Sequence, residues 1–271
     1  MPKAFVNGIN IAYDVVGEGE PLILIMGLGG SRRSWIFQKR AFQKYFKVIT
    51  FDNRGVGGSD KPDGPYSMVI MADDIIGLMD YLGIEKAHIL GISMGGMIAQ
   101  EIAINYPERI NKLVLGCTFA YELEGHTPEY YKGLGVENGY SRDALRCVSA
   151  RKIMANDFSL ALNDRLMRII ITPLLKVFTW VLPNEGISEQ FEAILNHDTL
   201  DRLHMIRVST LVITGTKDRL IKPNSSDVLA SKIPGAKLVK VEEGSHAFFV
   251  SKCARFNREV LDFLRGNSIT A

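Results

Sequence analysis

Short apolar runs and longer stretches with apolar residues at helical spacing alternate along the first 117 residues. The short runs predict strands at Ala4–Val6, Asn10–Val16, Leu22–Met26, Lys47–Asp52, Ala87–Leu90 and Ile110–Cys117. The longer stretches predict helices at Trp35–Tyr45, Ser67–Leu82 and Met94–Asn105. Strands that alternate with helices are typical of a mainly parallel sheet with helices on both faces.

The pattern changes between residues 118 and 207. No buried β-type run occurs in this stretch, and Met, Leu, Ile and Arg recur in helix-like patterns broken at Pro128, Pro173 and Pro183. Strands and helices then resume at Thr210–Thr214, Asn224–Ile233, Lys237–Val241 and Phe248–Leu264. The sequence therefore predicts an eight-stranded α/β core domain of residues 1–117 and 208–271, interrupted by a helical cap, or lid, at 118–207. A cleft between the two is the expected ligand site.

Composition and charge narrow the class of partner. The chain has 271 residues, 46% hydrophobic and 23% charged, and its 32 basic and 30 acidic residues give a net charge of +2. This balance gives no electrostatic footprint for nucleic acid or anionic lipid. The longest apolar run, from Pro21 to Gly30, is far shorter than the roughly 20 residues that span a bilayer. We therefore expect a small-molecule partner, with no nucleic acid and no membrane.

Cysteine usage bears on the compartment. Cys117, Cys147 and Cys253 are widely spaced, and the first twenty residues lack the apolar stretch of a secretory signal. We expect free thiols and a cytoplasmic location.

A G-x-S-x-G motif, Gly91-Ile92-Ser93-Met94-Gly95, lies between a predicted strand and a predicted helix. A strand that reverses at once into a helix strains the turning residue, and only glycines two positions on either side allow the chain to pass so close. Ser93 is thereby pushed into the cleft at a helix N-terminus, where negative charge on a reacting oxygen is favoured. The motif predicts that Ser93 is a nucleophile.

A serine nucleophile needs a base, and the chain offers five histidines. His246 follows the last predicted strand, where a side chain can project over the carboxyl edge of the sheet. His88 lies inside a strand and is predicted to be a core residue. His126, His197 and His204 fall in the insertion and are predicted to be surface or lid residues. His246 is therefore the expected base.

The acid that orients this base should follow another strand. Asp218, in Gly215-Thr216-Lys217-Asp218, follows the penultimate strand and is the strongest candidate. The loop after Ile110–Cys117 is the alternative place, where Glu122 and Glu124 lie further out. The order Ser93, Asp218, His246 is the nucleophile, acid, histidine order of one known hydrolase architecture.

Four segments together make the chain resemble an α/β-hydrolase over nearly its whole length. They are the elbow through Gly96, the run from Asp52 to Asp60, Gly215 to Asp218, and Gly244-Ser245-His246. The resemblance implies an oxyanion hole made by the backbone N–H groups of Met94 and Leu28, and no cofactor. This chain has Met26-Gly27 where His-Gly is usual in the family.

Other motifs favour structural interpretations. Gly27-Leu28-Gly29-Gly30 lacks the third glycine of a dinucleotide fingerprint, and Gly55-Val56-Gly57-Gly58 lacks the Lys-Ser or Lys-Thr of a P-loop. We expect Asp52 and Arg54 to form a structural turn network. The spacing of His197, Asp198 and His204 does not match a standard zinc pattern, and no metal is expected.

The residues favour a serine hydrolase that cleaves a small-molecule carboxylic ester or lactone through an acyl-enzyme on Ser93. Candidate pocket residues are Phe178, Trp180 and Phe248. Two alternatives use the same site: hydrolysis of a carbon–carbon bond in a ring-cleavage dienoate, and cofactor-free perhydrolysis of the haloperoxidase type. A ligand receptor that keeps this fold and triad is an alternative from another class.

Overall fold

A single sheet of eight strands organises the part of the chain that the computed structural model describes, namely residues 1–121, 126–135, 145, 148–161 and 184–266. Its order is β1-β2-β4-β3-β5-β6-β7-β8, and only the β1–β2 and β2–β4 pairs are antiparallel. The strands are β1 Lys3–Val6, β2 Ile9–Val16, β3 Glu20–Ile25, β4 Phe46–Phe51, β5 Ala87–Ile92, β6 Ile110–Gly116, β7 Thr210–Gly215 and β8 Lys237–Val241. The predicted mostly parallel, eight-stranded sheet is confirmed.

Helices follow most of the strands, as the hydrophobic pattern predicts. In the described ranges they are α1 Ile36–Phe42, α2 Met68–Tyr81, α3 Met94–Asn105, α4 Pro128–Leu134, α5 Ala150–Ala161, α6 Asn184–Leu195, α7 Asn224–Lys232, α8 Phe248–Ser251 and α9 Cys253–Arg265. The predicted closing helix is broken, because Lys252 leaves the helical conformation at φ −120° and ψ 35°. None of these helices combines the length and hydropathy that crossing a bilayer requires.

Alternation along β3 shows how the sheet is buried on both faces. Leu22 and Leu24 point into the cluster beneath α1 and α9, whereas Ile23 and Ile25 point into the cluster beneath α2, α3 and α7. A strand covered on both faces has no polar side to show, which explains its continuous apolar sequence. The polar ends of such strands are then concentrated at the edges of the sheet.

Among the residues that the structure describes, the α-helices α4, α5 and α6 lie between β6 and β7 in the predicted insertion. The segment before α4 is bound to the loop after β7, where the Thr127 amide donates to the Leu220 carbonyl at 3.0 Å. The segment after α6 is bound to α3, where the Thr199 hydroxyl donates to Gln100 Oε1 at 2.6 Å. Arg202 also makes a bidentate pair with Glu101, at 2.6 and 2.9 Å.

The loop after β4 is held by two buried carboxylates. Asp52 pairs with the Arg32 guanidinium and accepts hydrogen bonds from the backbone N–H groups of Arg32 and Gly58, at 2.7 and 2.8 Å. Arg54 makes two 2.6 Å hydrogen bonds to Asp74 in α2. The prediction of a structural turn network is confirmed, although each residue pairs with a different element and not with the other.

We predict that Asp74→Ala lowers the free energy of unfolding by about 3–5 kcal/mol, because it leaves the Arg54 guanidinium buried without a counter-charge. Asp80→Ala in the same helix is the matched control. Asp80 pairs with Arg109 at 2.6 Å, but its side chain is 62% exposed, so the loss should stay below about 1 kcal/mol. Urea unfolding of both variants measures the difference. Equal losses would show that the Arg54–Asp74 pair does not stabilise the fold.

Candidate active site

Ser93 occupies a strained turn between β5 and α3, at φ 53° and ψ −127°. A non-glycine residue adopts such a conformation only where its surroundings enforce it. Adding a Cβ at Gly95 would place it against the Ile25 carbonyl oxygen, and a Cβ at Gly91 would collide with the backbone of Gly95. The steric argument made from the motif is therefore confirmed, and the Ser93 side chain stands at the carboxyl edge of the sheet.

His246 and Asp218 form a buried pair at the same edge. His246 Nδ1 lies 2.7 Å from Asp218 Oδ2. Asp218 Oδ1 accepts hydrogen bonds from the backbone N–H groups of Leu220 and Ile221, both at 2.9 Å. The carboxylate is thereby fixed in direction, and with Nδ1 donating to it, Nε2 is the imidazole nitrogen left to accept a proton.

The pKa of His246 is set by opposing effects. Burial lowers it, but the charge and hydrogen bond of Asp218, together with the charge of Asp157 in α5, outweigh burial and raise the pKa above its ordinary value of 6.5. The pair therefore stabilises the imidazolium that forms when the histidine takes a proton.

Adjacent strand ends bring these three residues to one region. The Ser93 amide donates to the Gly116 carbonyl of β6 at 2.9 Å. Cys117, which follows Gly116, donates its amide to the Ile213 carbonyl of β7, also at 2.9 Å. The Cys117 thiol is fully buried, and burial together with the charge of Asp218 raises its pKa well above the ordinary value. Cys117 therefore lies between the elbow and the acid as a neutral thiol.

The Ser93 hydroxyl makes no hydrogen bond to the His246 ring within the ranges that the structure describes. Catalytic hydrogen bonds are often formed only when substrate binds.

The turn predicted to complete the oxyanion hole lies directly against the nucleophile. A Cβ at Gly27 would be 3.0 Å from Ser93 Cβ and 3.5 Å from its Oγ. The turn is closed by the Gly30 amide, which donates to the Gly27 carbonyl at 3.1 Å. Leu28 lies within this turn. Met94 is the first residue of α3, so its N–H has no acceptor inside the helix.

The chain supports this turn without the family's usual histidine. The Asn53 side-chain amide donates to the Met26 carbonyl at 3.0 Å, and the Gly29 amide donates to Gln190 Oε1 at 3.0 Å. Both partners come from outside the turn itself, one from the loop after β4 and one from α6.

Residues of the insertion reach the site in ways that sequence reasoning missed. Met154 and Ile187 pack with Val56 and Leu28 into a small apolar cluster beside the turn. The Ala247 amide, next to His246, donates to Ala161 at the end of α5, at 3.2 Å. A usable signal existed in α6, where a polar glutamine interrupts the buried stripe of Ile187, Gln190, Phe191 and Ile194 at helical spacing.

The pocket candidates have different outcomes. Phe178 and Trp180 lie outside the described residues, as do Glu122 and Glu124. The Phe248 side chain is completely buried and packs edge-on against Phe256, with ring centroids 5.4 Å apart, in the cluster beneath α1 and α9. The structure thus places Phe248 in the core and not in a substrate pocket. Packing against neighbouring side chains accounts for its burial.

Of the other four histidines, three are buried and His204 is exposed. His88 is buried and its Nε2 lies 2.9 Å from Glu20, as expected for a core residue. His126 stacks on Tyr130 with ring centroids 3.8 Å apart, and His197 is buried near Phe119. Of the three histidines predicted to be surface or lid residues, only His204 is exposed. Burial lowers the pKa of His197 to about 3. Among the described residues no group of three or more potential ligands could hold a metal ion.

Comparison with known proteins bears on the family and the fold. The sequence profile of the alpha/beta hydrolase fold family matches residues 20–169. A "Putative carbamate hydrolase RutD" of Caulobacter sp. (strain K31) is 30% identical, over 93% of this chain and 92% of that protein.

Solved structures show the same likeness. The enol-lactonase of Burkholderia xenovorans LB400 is 29% identical, with a TM-score of 0.82 over 97% of this chain and all of its own. A meta-cleavage product hydrolase of Pseudomonas fluorescens IP01 is 28% identical, with a TM-score of 0.81 over 98% of each chain. With a profile match over more than half its length and a fold shared from end to end, the chain belongs to the alpha/beta hydrolase family.

Proposed function

We propose that this protein is a serine hydrolase that cleaves a small-molecule carboxylic ester or lactone through an acyl-enzyme on Ser93. The observation that carries the proposal is the buried 2.7 Å pair of His246 and Asp218 at the sheet edge where the strained elbow presents Ser93. Each of the three residues follows a different parallel strand, in the chain order serine, aspartate, histidine that α/β-hydrolases use.

The proposed reaction uses only groups of this chain. Ser93 Oγ attacks the substrate carbonyl while His246 Nε2 takes the hydroxyl proton, and Asp218 holds the imidazolium. The N–H groups of Met94 and Leu28 bind the oxyanion. As the intermediate collapses, the ester C–O bond breaks and His246 protonates the leaving oxygen. Water, deprotonated by the same histidine, then attacks the acyl-enzyme and releases the acid and Ser93. This chemistry calls for no cofactor.

Esters and lactones rank first because the relatives point to carbonyl chemistry of this kind. Besides the enol-lactonase, the solved structures include Est816, described as an N-acyl homoserine lactone degrading enzyme, which is 28% identical over 98% of this chain. The apolar cluster of Leu28, Val56, Met154 and Ile187 beside the turn suits an uncharged part of the substrate.

Carbamate hydrolysis is the second candidate. It is favoured by the relatives named for that activity, which match this chain over more than nine-tenths of its length at up to 30% identity. A carbamate also has a carbonyl carbon open to Ser93, so the same residues would carry both reactions. The meta-cleavage product hydrolases keep carbon–carbon hydrolysis as a further alternative.

A panel of substrates tests these proposals on the purified protein. It should contain p-nitrophenyl esters of increasing acyl length, γ- and δ-lactones, aryl carbamates and ring-cleavage dienoates, with a peracid assay beside them. Turnover of esters or lactones at many per second supports the proposal. A higher kcat/KM for carbamates or dienoates would replace it, and a single slow turnover coupled to partner binding would favour a receptor.

The proposal also covers how the chain is divided into domains and the compartment in which the protein works. We take residues 118–207 as the cap of a core made of 1–117 and 208–271. The division is supported by the described helices α4 to α6 between β6 and β7. It is also supported by the hydrogen bonds that join Thr127 to the loop carrying Asp218 and Thr199 to α3. A cytoplasmic location is supported by the free thiols of Cys117 and Cys253.

We predict that Ser93→Ala and His246→Ala each lower kcat by at least about 10³-fold, because the relay works as a unit. Hydrolysis of p-nitrophenyl acetate measures the loss, and thermal melting checks that both variants fold. His204→Ala is the matched control, since this histidine is exposed. Retention of more than a tenth of wild-type activity in either variant would remove that residue from the mechanism.

We predict that Asp218→Asn changes the pH profile as well as the rate. Its charge raises the pKa of His246, and His246 is a base only when neutral, so wild-type kcat/KM should rise through a midpoint above pH 6.5. Removing the charge leaves burial largely unopposed, and the midpoint should move to lower pH. The plateau should fall by about 10²–10⁴-fold. Full activity in the variant would transfer the role to Glu122 or Glu124.

A further inference from the structure

A glutamine of α6 bridges two loops at the carboxyl edge of the sheet. The Gln190 side chain is completely buried. Its Oε1 accepts a 3.0 Å hydrogen bond from the Gly29 amide, and its Nε2 donates to the Arg54 carbonyl at 2.7 Å. Because one partner can only donate and the other can only accept, the orientation of this amide is fixed by its surroundings.

The far end of the bridge is anchored in the core. Arg54 is tied to Asp74 of α2 by two 2.6 Å hydrogen bonds. α6 also comes against this loop through its backbone, because a Cβ at Gly55 would be 2.9 Å from the Gly186 carbonyl oxygen. Gln190 therefore connects a rigid buried ion pair to the turn that carries Leu28.

That turn has one hydrogen bond of its own, from the Gly30 amide to the Gly27 carbonyl at 3.1 Å. Gly27, Gly29 and Gly30 surround Leu28, and Gly29 is in the left-handed region at φ 64°. The Gly27 carbonyl shares a peptide with the Leu28 N–H, so this bond restrains the peptide before Leu28, while the flexible glycines leave the peptide after it free to rotate. The Gly29 N–H belongs to that second peptide, and its hydrogen bond to Gln190 holds it. The direction of the Leu28 N–H is set only when both peptides are held.

We propose that Gln190 is a positioning residue of the oxyanion hole: from α6 it holds the Leu28 N–H toward the oxygen that develops at Ser93. The proposal rests on the proposed function, because it assigns Leu28 as a donor in that mechanism. It makes α6 part of the machinery that stabilises the transition state, beyond any role in enclosing substrate. Oxyanion donors are effective only when they are aimed before the reaction begins.

Gln190→Met tests this proposal, since it keeps the length of the side chain and removes both hydrogen bonds. Removing an oxyanion donor costs about 10²–10³-fold in kcat, and a donor left in place but released should cost about 10–100-fold. KM should change less than about threefold, because ground-state binding does not use the oxyanion. Gln190→Asn, one methylene too short to span both partners, should shift kcat in the same direction and is the second variant if Gln190→Met does not fold.

Gln100→Met is the matched control. Gln100 is also completely buried and also links the insertion to the core, accepting from Thr199 and donating to the Phe119 carbonyl at 3.0 Å, but it does not touch the turn. Its replacement should lower the melting temperature while leaving kcat within about threefold of wild type. A loss of stability common to both glutamines is thereby separated from a loss of catalysis specific to one.

A fluorophosphonate probe supplies a readout that does not depend on knowing the substrate. Ser93 Oγ displaces fluoride from phosphorus through an intermediate whose oxygen occupies the oxyanion hole, and mass spectrometry locates the adduct. The labelling rate should fall about 10–100-fold in Gln190→Met, in parallel with kcat. An unchanged rate in Gln190→Met, or an equal fall in Gln100→Met, overturns the proposal. Absence of label on Ser93 in the wild-type protein would instead overturn the proposed function, and this proposal with it.

Discussion

The close approach of backbone to backbone around Ser93 is the constraint on which the site depends. β5 can reverse into α3 in one residue only because Gly91 and Gly95 carry no side chain where Ile25 and the turn itself pass. A conformation such as that of Ser93 costs about 1–3 kcal/mol and persists only where neighbours enforce it. Here the enforcement comes from β3 and β6, which hold β5 by parallel ladders on both sides.

Strain is concentrated at the same edge of the sheet. Among the described residues, the non-glycine positions with positive φ are Asn7, Ser93, Cys117 and Glu243, and the last three directly follow β5, β6 and β8 or lie within two residues of their ends. Three of the four strands on this side of the sheet therefore end in an unusual backbone conformation. Packing in the regular part of the sheet offsets the free-energy cost of these conformations.

Buried carboxylates do different work on the two sides of the nucleophile. Asp52 and Asp74 are each paired with an arginine, and these two pairs fix the loop after β4. Asp218 is instead held by backbone N–H groups through one oxygen, so that its other oxygen can act on His246. Paired with a neutral imidazole instead of a permanent cation, its charge remains available to stabilise a proton.

The sheet and the elbow were predictable because their signals are local. Short apolar runs of three to eight residues, a glycine pair around Ser93, and polar residues shortly after Thr210–Thr214 and Lys237–Val241 all lie within a few positions of the feature that they indicate. The break at Lys252 was not predictable, because the apolar pattern continues across it.

Contacts that join distant segments were also beyond sequence reasoning. Gln190 meets Gly29 across 161 residues, and Asp157 acts on His246 from another helix of the insertion. Neither Gln190 nor Asp157 lies in a recognisable motif. The place of His126 and His197 in the chain predicts that they are surface or lid residues, and the structure shows that both are buried. Burial of this kind depends on tertiary packing that a helical pattern alone does not specify.

The hydrogen bonds at the two ends of the insertion also bear on where it could be exchanged. Thr127 is bonded to the loop that carries Asp218, and Thr199 and Arg202 are bonded to α3, the helix that begins at the nucleophile. A chimera that replaced the whole stretch between β6 and β7 would cut both attachments. Splice junctions placed just inside Thr127 and Thr199 would exchange α4 to α6 and keep these end hydrogen bonds, whereas the Arg219–Glu129 pair and the Gln190 bridge would depend on the new helices.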